Sequence, residues 1–323
     1  MLLTSESKII KRDTQNQSVS IKRDNVHTLG HLDQKVISKF ITNQLLFPLI
    51  DLKSPLKTSY WRTWRCCQTI FQEDKRLISK YCDQRWCVIC NRIRTAQNIN
   101  SYYDQVQSIE DRHFVTISRT NVSENDLKAE IDILIKDFAK CIRIVKKLLK
   151  TKIKAIRKLE ATYNITHDNY HPHIHIITSG HIGNTIIQVW RKLQGNKSGM
   201  LGQNIKPSND SDIIELFKYT TKLFKIDADD KTPEGKQKIV IDVKPLDKIF
   251  QVLKNRKTFQ AYGMKKPILE QIDKDKLKGQ EYEFLDSGIE IWYWEDSVNN
   301  YVTALGEILT PTNPSNYYSI FAK

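Results

Sequence analysis

The stretch that decides the fold runs from Tyr170 to Ile177 and reads YHPHIHII. Successive side chains of a β-strand point to opposite faces, so His173 and His175 share one face and Ile174 and Ile176 the other. Burial of the isoleucines would hold the two imidazoles as a fixed pair, and neutral imidazole is a common metal ligand. The alternative is a half-buried strand whose polar face happens to be histidine. Because three of the chain's eight histidines lie here, we interpret the run as a metal-binding strand.

The composition favours a nucleic-acid partner. The chain has 323 residues, enough for one large domain or two ordinary ones, and a formal net charge of +14. Such an excess of basic residues suits a polyanion. No apolar run is long enough for a membrane span, the start does not resemble a signal peptide, and no GxxxxGK[ST] loop occurs. We therefore expect a cytoplasmic DNA-binding protein with reduced thiols, without a membrane or a nucleotide cofactor.

A cysteine cluster follows a polar N-terminal stretch. Five of the six cysteines fall between positions 66 and 90. In a reducing compartment this clustering favours a metal over disulfides, and a closed tetrahedral thiolate site is typical of structural zinc. Cys82, Cys87 and Cys90 supply three ligands; either Cys66 or Cys67 supplies the fourth, and we take Cys67. The neighbouring Arg85, Arg92 and Arg94 are expected to contact DNA phosphates. Buried cysteines without metal are the alternative.

Residues 125–150 have the period of a helix, with apolar residues every three or four positions. One or two positions on from these apolar residues lies a basic stripe, which consists of Lys136, Lys140, Arg143, Lys147 and Lys150. A charged stripe is often only a solvated face. Since residues 136–158 hold ten Lys or Arg and one acid, we predict that the stripe contacts DNA.

Residues 156–163 predict the strand before the histidine strand, with turn residues at 164–169 between the two. A hairpin that pairs Thr162 with His171 also pairs Glu160 with His173 on the same face. One carboxylate and two imidazoles suit a catalytic Mg²⁺ or Mn²⁺ with open positions better than a closed structural site. A slip of one residue would turn Glu160 away.

A second element is predicted as a helix over residues 211–225, with Glu215, Tyr219 and Lys222 along one face. Glu215 could instead simply form a surface ion pair with Lys218 or Lys222.

Taken together, these motifs resemble the replication initiator (Rep) proteins of small rolling-circle plasmids, which belong to the HUH endonucleases. The histidine–hydrophobe–histidine strand corresponds to residues 173–175, and the YxxK motif to residues 219–222. Residues 114–118 and 159–164 resemble strands of one Rep branch, and residues 82–90 resemble its CxxRxCPxC element, although Val88 stands where proline is usual. The resemblance covers about residues 60–265.

The resemblance implies the activity and the site. The protein would nick and rejoin single-stranded plasmid origin DNA through a 5′-phosphotyrosine link, with Tyr219 as nucleophile, Lys222 as the cation beside it, and Glu215 as the residue that ends replication by hydrolysis. His173, His175 and Glu160 would hold the catalytic ion, and a host helicase and DNA polymerase would act with it. The alternatives are an HUH transposase or relaxase, or a zinc-containing DNA-binding regulator without enzymatic activity.

The predicted fold is α+β, an HUH-type antiparallel sheet backed by helices, with a small zinc element before it. The predicted divisions are a mobile arm (1–35), a zinc-binding, DNA-contacting element (36–105), the catalytic domain (106–265) and a C-terminal accessory segment (266–323).

Overall fold

The computed structural model describes residues 30–73, 76–195, 202–218, 225–265 and 290–322. Seven α-helices are described in these ranges: α1 His31–Asp51, α2 Lys57–Trp64, α3 Val88–Gln107, α4 Leu127–Leu149, α5 Gly180–Gln194, α6 Asp210–Phe217 and α7 Val243–Leu253. The strands of the same ranges are β1 Thr69–Glu73, β2 Arg76–Ser79, β3 Arg112–Ser118, β4 Ala155–Asn164, β5 Asn169–Ser179, β6 Asn204–Pro207, β7 Lys225–Lys231, β8 Gln237–Ile241, β9 Phe259–Tyr262, β10 Glu290–Glu295, β11 Asn300–Val302 and β12 Tyr318–Ala322.

The central sheet has five strands in the order β6-β3-β5-β4-β9, and every pairing in it is antiparallel. The predicted α+β class, with an antiparallel sheet that carries Glu160, His173 and His175, is confirmed. The predicted register is confirmed as well: Glu160 pairs with His173, and Thr162 pairs with His171.

Helices cover both faces of this sheet. On one face α4 and α5 pack against Val115, Ile117, Ile174 and Ile176. On the other face α3 and α6 pack against Ile156 and Ile177. Because side chains alternate along a strand, Glu160, His173 and His175 lie on the face that α3 and α6 cover. The predicted helix over 125–150 is confirmed as α4.

The helix predicted over 211–225 is wrong beyond Phe217. Lys218 has extended backbone angles (φ −60°, ψ 112°), and residues 225–231 form β7, which pairs with β8. The apolar period suggested a continuous helix, but strand pairing takes residues 225–231 instead. Tyr219 and Lys222 lie outside the described residues.

The C-terminal residues join the rest of the protein. β10 pairs with β1 of the cysteine element, and β12 pairs in parallel with β8. Trp292, Trp294 and Tyr301 share one buried cluster with α1, the cysteines and α7. The residues 290–322 that we assigned to an accessory segment therefore help to form the core of the cysteine element, and α1 begins at His31, inside the range predicted as an arm. No helix in the described ranges is both long and apolar enough to cross a membrane.

This packing predicts that Tyr301 stabilises the cysteine element. Its side chain is fully buried, and its hydroxyl donates to the Cys67 carbonyl over 2.6 Å. Tyr301→Phe should lower the free energy of unfolding by about 1–3 kcal/mol, because a buried acceptor loses its donor. Urea denaturation measures this loss. Tyr293, on β10 and exposed, is the matched control: Tyr293→Phe should change stability by less than about 0.5 kcal/mol, and equal losses in the two variants would contradict this account.

Candidate functional site

Glu160, His173 and His175 form a compact group on adjacent strands, here called the Glu-His-His group. One ligand atom from each lies within 4.8 Å of the others. The Nε2 atoms of His173 and His175 lie 3.2 Å and 3.3 Å from the same carboxylate oxygen, Glu160 Oε2. Octahedral Mg²⁺ has ligands at 2.0–2.1 Å, which places neighbouring ligand atoms ~3 Å apart. Each imidazole nitrogen therefore lies at the distance from Glu160 Oε2 that two ligands of one small divalent ion would have.

The second nitrogen of each imidazole is held by a neighbour. His173 Nδ1 lies 3.0 Å from the carbonyl oxygen of His171, and His175 Nδ1 lies 3.0 Å from Thr116 Oγ1. Partners of this kind fix the ring orientation of metal-ligating histidines. Both Nε2 atoms are thus directed at Glu160, as a shared ion would need.

Electrostatics keep the carboxylate ionised. Burial alone would raise the pKa of Glu160, but hydrogen bonds from His173 and His175 and the attraction of the Lys158 ammonium hold that pKa well below its usual value. An ionised carboxylate is the form that binds a cation.

Lys158 is a site residue that the sequence analysis did not assign. Its side chain is 8% exposed, and its Nζ lies 2.5 Å from Glu160 Oε1, the carboxylate oxygen that does not face the histidines. The same Nζ donates to the carbonyl of Lys218 over 2.5 Å. Lys158 thereby joins the Glu-His-His group to the last described residue before Tyr219. Strand alternation already placed Lys158 on the face of Glu160, so the signal was present in the sequence.

His171, the third histidine of the strand, lies outside the group. Its ring stacks on His173 with centroids 5.1 Å apart, and its Nδ1 lies 2.7 Å from Asn121 Oδ1. Burial, and then the proximity of His173 and His175, lowers the pKa of His171 to about 4. It is therefore uncharged at neutral pH.

The second cluster consists of Cys66, Cys82, Cys87 and Cys90. The Sγ–Sγ distance is 3.6 Å for Cys66–Cys90 and for Cys66–Cys87, and 3.7 Å for Cys82–Cys90. A tetrahedron of sulfurs 2.3 Å from zinc has edges of ~3.8 Å, whereas a disulfide would bring two sulfurs to about 2.0 Å. The thiols are free and spaced for one tetrahedral ion.

The fourth member is Cys66, so our choice of Cys67 was wrong. Cys67 has a positive φ of 54°, which turns its side chain away from that of its neighbour, and its backbone pairs with Lys80 and Tyr301. The buried Lys39 ammonium donates to the Cys66 carbonyl over 2.9 Å, which brings positive charge to a site that would hold thiolates.

The three predicted DNA-contacting arginines form internal contacts. Arg85 donates to the carbonyls of Leu253 and Arg256 at the end of α7. Arg92, whose pKa is lowered by burial, donates to Gln34 and Ser38 on α1. Arg94 donates to Asn91 and Asp83. These guanidinium groups stabilise the cysteine element through internal hydrogen bonds, and their contact with DNA stays a prediction.

The basic stripe of α4 is exposed at all five positions, Lys136, Lys140, Arg143, Lys147 and Lys150. However, α4 packs on the sheet face opposite to the Glu-His-His group. The stripe and the group cannot contact the same phosphate, and DNA contact by the stripe stays a prediction.

Glu215 lies on α6 with 48% of its side chain exposed, and Oε2 lies 3.5 Å from Lys218 Nζ. This contact is the surface ion pair that the sequence left open as an alternative.

The cysteine geometry predicts that Cys66→Ser removes the bound metal, whereas Cys67→Ser retains it. Wild type should hold about one zinc per chain. Elemental analysis of protein purified under reducing conditions measures the stoichiometry. Full zinc in Cys66→Ser together with loss in Cys67→Ser would reverse the assignment. Thermal melting should show a larger loss of stability for Cys66→Ser, because structural zinc contributes directly to folding.

Both clusters lie mostly in a part of the chain that is similar to known replication proteins. Residues 75–179 match the family model Rep_1, described as replication protein. The chain is 25% identical over 207 residues to "Protein rep" of Staphylococcus aureus, an alignment that covers 58% of this chain and 88% of that protein. It is 27% identical over 186 residues to "Protein rep" of Streptococcus pneumoniae, which covers 48% of this chain and 55% of that protein. No solved structure is significantly similar. Residues 75–179, which match the replication protein family model, carry three of the four clustered cysteines and the whole Glu-His-His group.

Proposed function

We propose that the protein initiates rolling-circle replication of a plasmid by nicking its origin through Tyr219. The observation that carries the proposal is the Glu-His-His group, three donors within 4.8 Å on one sheet face, with Lys158 tying it to the residue before Tyr219. The net charge of +14 and the similarity to proteins named "Protein rep" support a DNA substrate. The activity places the protein in the cytoplasm, where a plasmid, host helicase and polymerase are available.

The reaction is a transesterification. The Tyr219 phenol oxygen forms a bond to the scissile phosphorus, the bond from phosphorus to the 3′ oxygen breaks, the phenol proton is lost, and the 3′ oxygen takes up a proton. The products are a 5′-phosphotyrosine and a free 3′-hydroxyl for a polymerase. One phosphoester replaces another, so no nucleotide cofactor is needed.

His173, His175 and Glu160 would hold Mg²⁺ or Mn²⁺, which supplies polarisation of a phosphate oxygen and stabilises charge. A tyrosine phenol has an ordinary pKa of ~10, so a nearby cation helps it to ionise. Lys222, three residues after Tyr219, is proposed for this role. The four clustered cysteines would hold a structural zinc.

The test is a covalent capture assay. Single-stranded oligonucleotides that tile the plasmid region next to the gene are incubated with protein and Mn²⁺ and resolved on a denaturing gel. Wild type should yield an adduct between the protein and the downstream strand, together with a released upstream fragment that ends in a free 3′-hydroxyl. Tyr219→Phe should give no adduct, and His173→Ala should give no cleavage while duplex origin binding survives. Tyr293→Phe, at an exposed position on β10, serves as the tyrosine control. An adduct of undiminished yield from Tyr219→Phe would refute the nucleophile assignment.

Glu215 is proposed to make the terminating cleavage hydrolytic by accepting a proton from water. Glu215→Ala should still nick and attach, but in a plasmid replication assay it should give products longer than one unit. Lys218→Met, which removes the ion-pair partner and keeps the carboxylate, is the control. If Glu215→Ala and Lys218→Met both terminate normally, Glu215 has only a surface role.

Lys158 is proposed to position the carboxylate and the chain that leads to Tyr219. Lys158→Met should lower the rate of adduct formation at saturating Mn²⁺ at least about tenfold, in the range seen when a partner of a metal ligand is removed. Lys218→Met is again the control, because Lys158 contacts the backbone carbonyl of Lys218 and not its side chain. Equal rates in Lys158→Met and wild type would show that the contact is only structural.

A further inference from the structure

A cavity of about 640 Å³ opens directly beside the Glu-His-His group. Thr162 and His171 line this cavity and pair with each other across β4 and β5. Each is two residues along its strand from Glu160 or His173, so both lie on the sheet face of the Glu-His-His group. Residues two apart on a strand are about 7 Å apart. The cavity therefore begins about the length of one nucleotide from the position where the group would hold a phosphate.

The lining of the cavity is polar but uncharged. It includes the amides of Asn121 and Asn164, the hydroxyls of Thr162 and Thr166, the His171 ring and Ile165. Among the described residues, no Lys, Arg, Asp or Glu lines it. Arg and Lys are prominent among phosphate contacts, whereas the edge of a base is read by amides, hydroxyls and apolar contacts.

The polar groups of the cavity are held in place before any ligand binds. Asn121 Nδ2 donates to Asn169 Oδ1 over 3.0 Å, which directs Asn121 Oδ1 toward His171 Nδ1 at 2.7 Å. Because an amide oxygen only accepts, Nδ1 of His171 is the donor in this contact. Asn164 Oδ1 accepts from the backbone N–H groups of Thr166 and His167, which leaves its NH₂ group outside those bonds. The cavity thus offers both donors and acceptors.

We infer that this cavity is a subsite for the base of a nucleotide that flanks the scissile phosphate, and that Asn121 and Thr162 read that base. The inference rests on the proposed function for the identity of the substrate. It adds a determinant of origin sequence on the sheet face of the Glu-His-His group.

The experiment uses full-length protein and single-stranded DNA with a randomised centre. One pool is recovered by equilibrium binding without divalent metal, and a second by covalent capture with Mn²⁺; both are sequenced. Wild type should prefer one base about 5- to 100-fold at a single position of the recovered motif, adjacent to the nick in the captured pool. Asn121→Ala and Thr162→Val should reduce the preference at that position to less than about threefold and leave other positions unchanged.

Asn125→Ala is the matched control, since Asn125 is an exposed asparagine that does not line the cavity. Mn²⁺ titration of Asn121→Ala checks that loss of its contact with His171 leaves the Glu-His-His group intact. Unchanged preferences at every position in both cavity variants, or a wild-type pool without base preference, would overturn the inference. Absence of covalent capture by wild type would instead refute the nicking activity; a preference in the equilibrium pool that the cavity variants lose would still support the subsite.

Discussion

The antiparallel pairing of β4 with β5 is the constraint on which the site depends. Its register places Glu160 opposite His173, and the alternation of each strand keeps His175 on the same face. A slip of one residue would turn Glu160 to the opposite face and bury charge among the isoleucines. Packing on the opposite sheet face fixes this register, because Ile174 and Ile176 are fully buried there against α4 and α5. Core packing on one face thus sets the ligand geometry on the other.

The cysteine element contributes to the same geometry from a distance. Tyr60 and Ser54 donate to the Asp247 carboxylate of α7 over 2.5 Å and 2.6 Å, and Arg85 binds carbonyls at the end of that helix. The apolar side of α7, in turn, packs in the cluster that holds Leu159 of β4. A metal at the four cysteines would therefore stabilise the support of β4. Arg85 is one of the residues that form this support.

Much of the site could be predicted because local patterns determine it. Strand alternation and the turn residues at 164–169 were sufficient to place Glu160 beside His173, and the apolar period gave α4. The two wrong predictions concern features that depend on contacts between residues far apart in the sequence. The choice of Cys66 over Cys67 depends on a positive φ and on Tyr301, more than 200 residues away. The end of α6 depends on an ion-paired lysine of β4 and on pairing of β7 with β8. Spacing along the sequence carries neither kind of information.

The central claim is that one divalent ion binds between Glu160, His173 and His175, separately from an ion at the four cysteines. Anomalous diffraction from crystals soaked in Mn²⁺, with data collected at the manganese and zinc absorption edges, tests it directly. The account predicts a manganese peak about 2.0–2.3 Å from the Nε2 atoms of both histidines and Oε2 of Glu160, and a zinc peak about 2.3 Å from Cys66, Cys82, Cys87 and Cys90. Manganese bound elsewhere, with the Glu-His-His group empty in crystals that hold the ion, would contradict it.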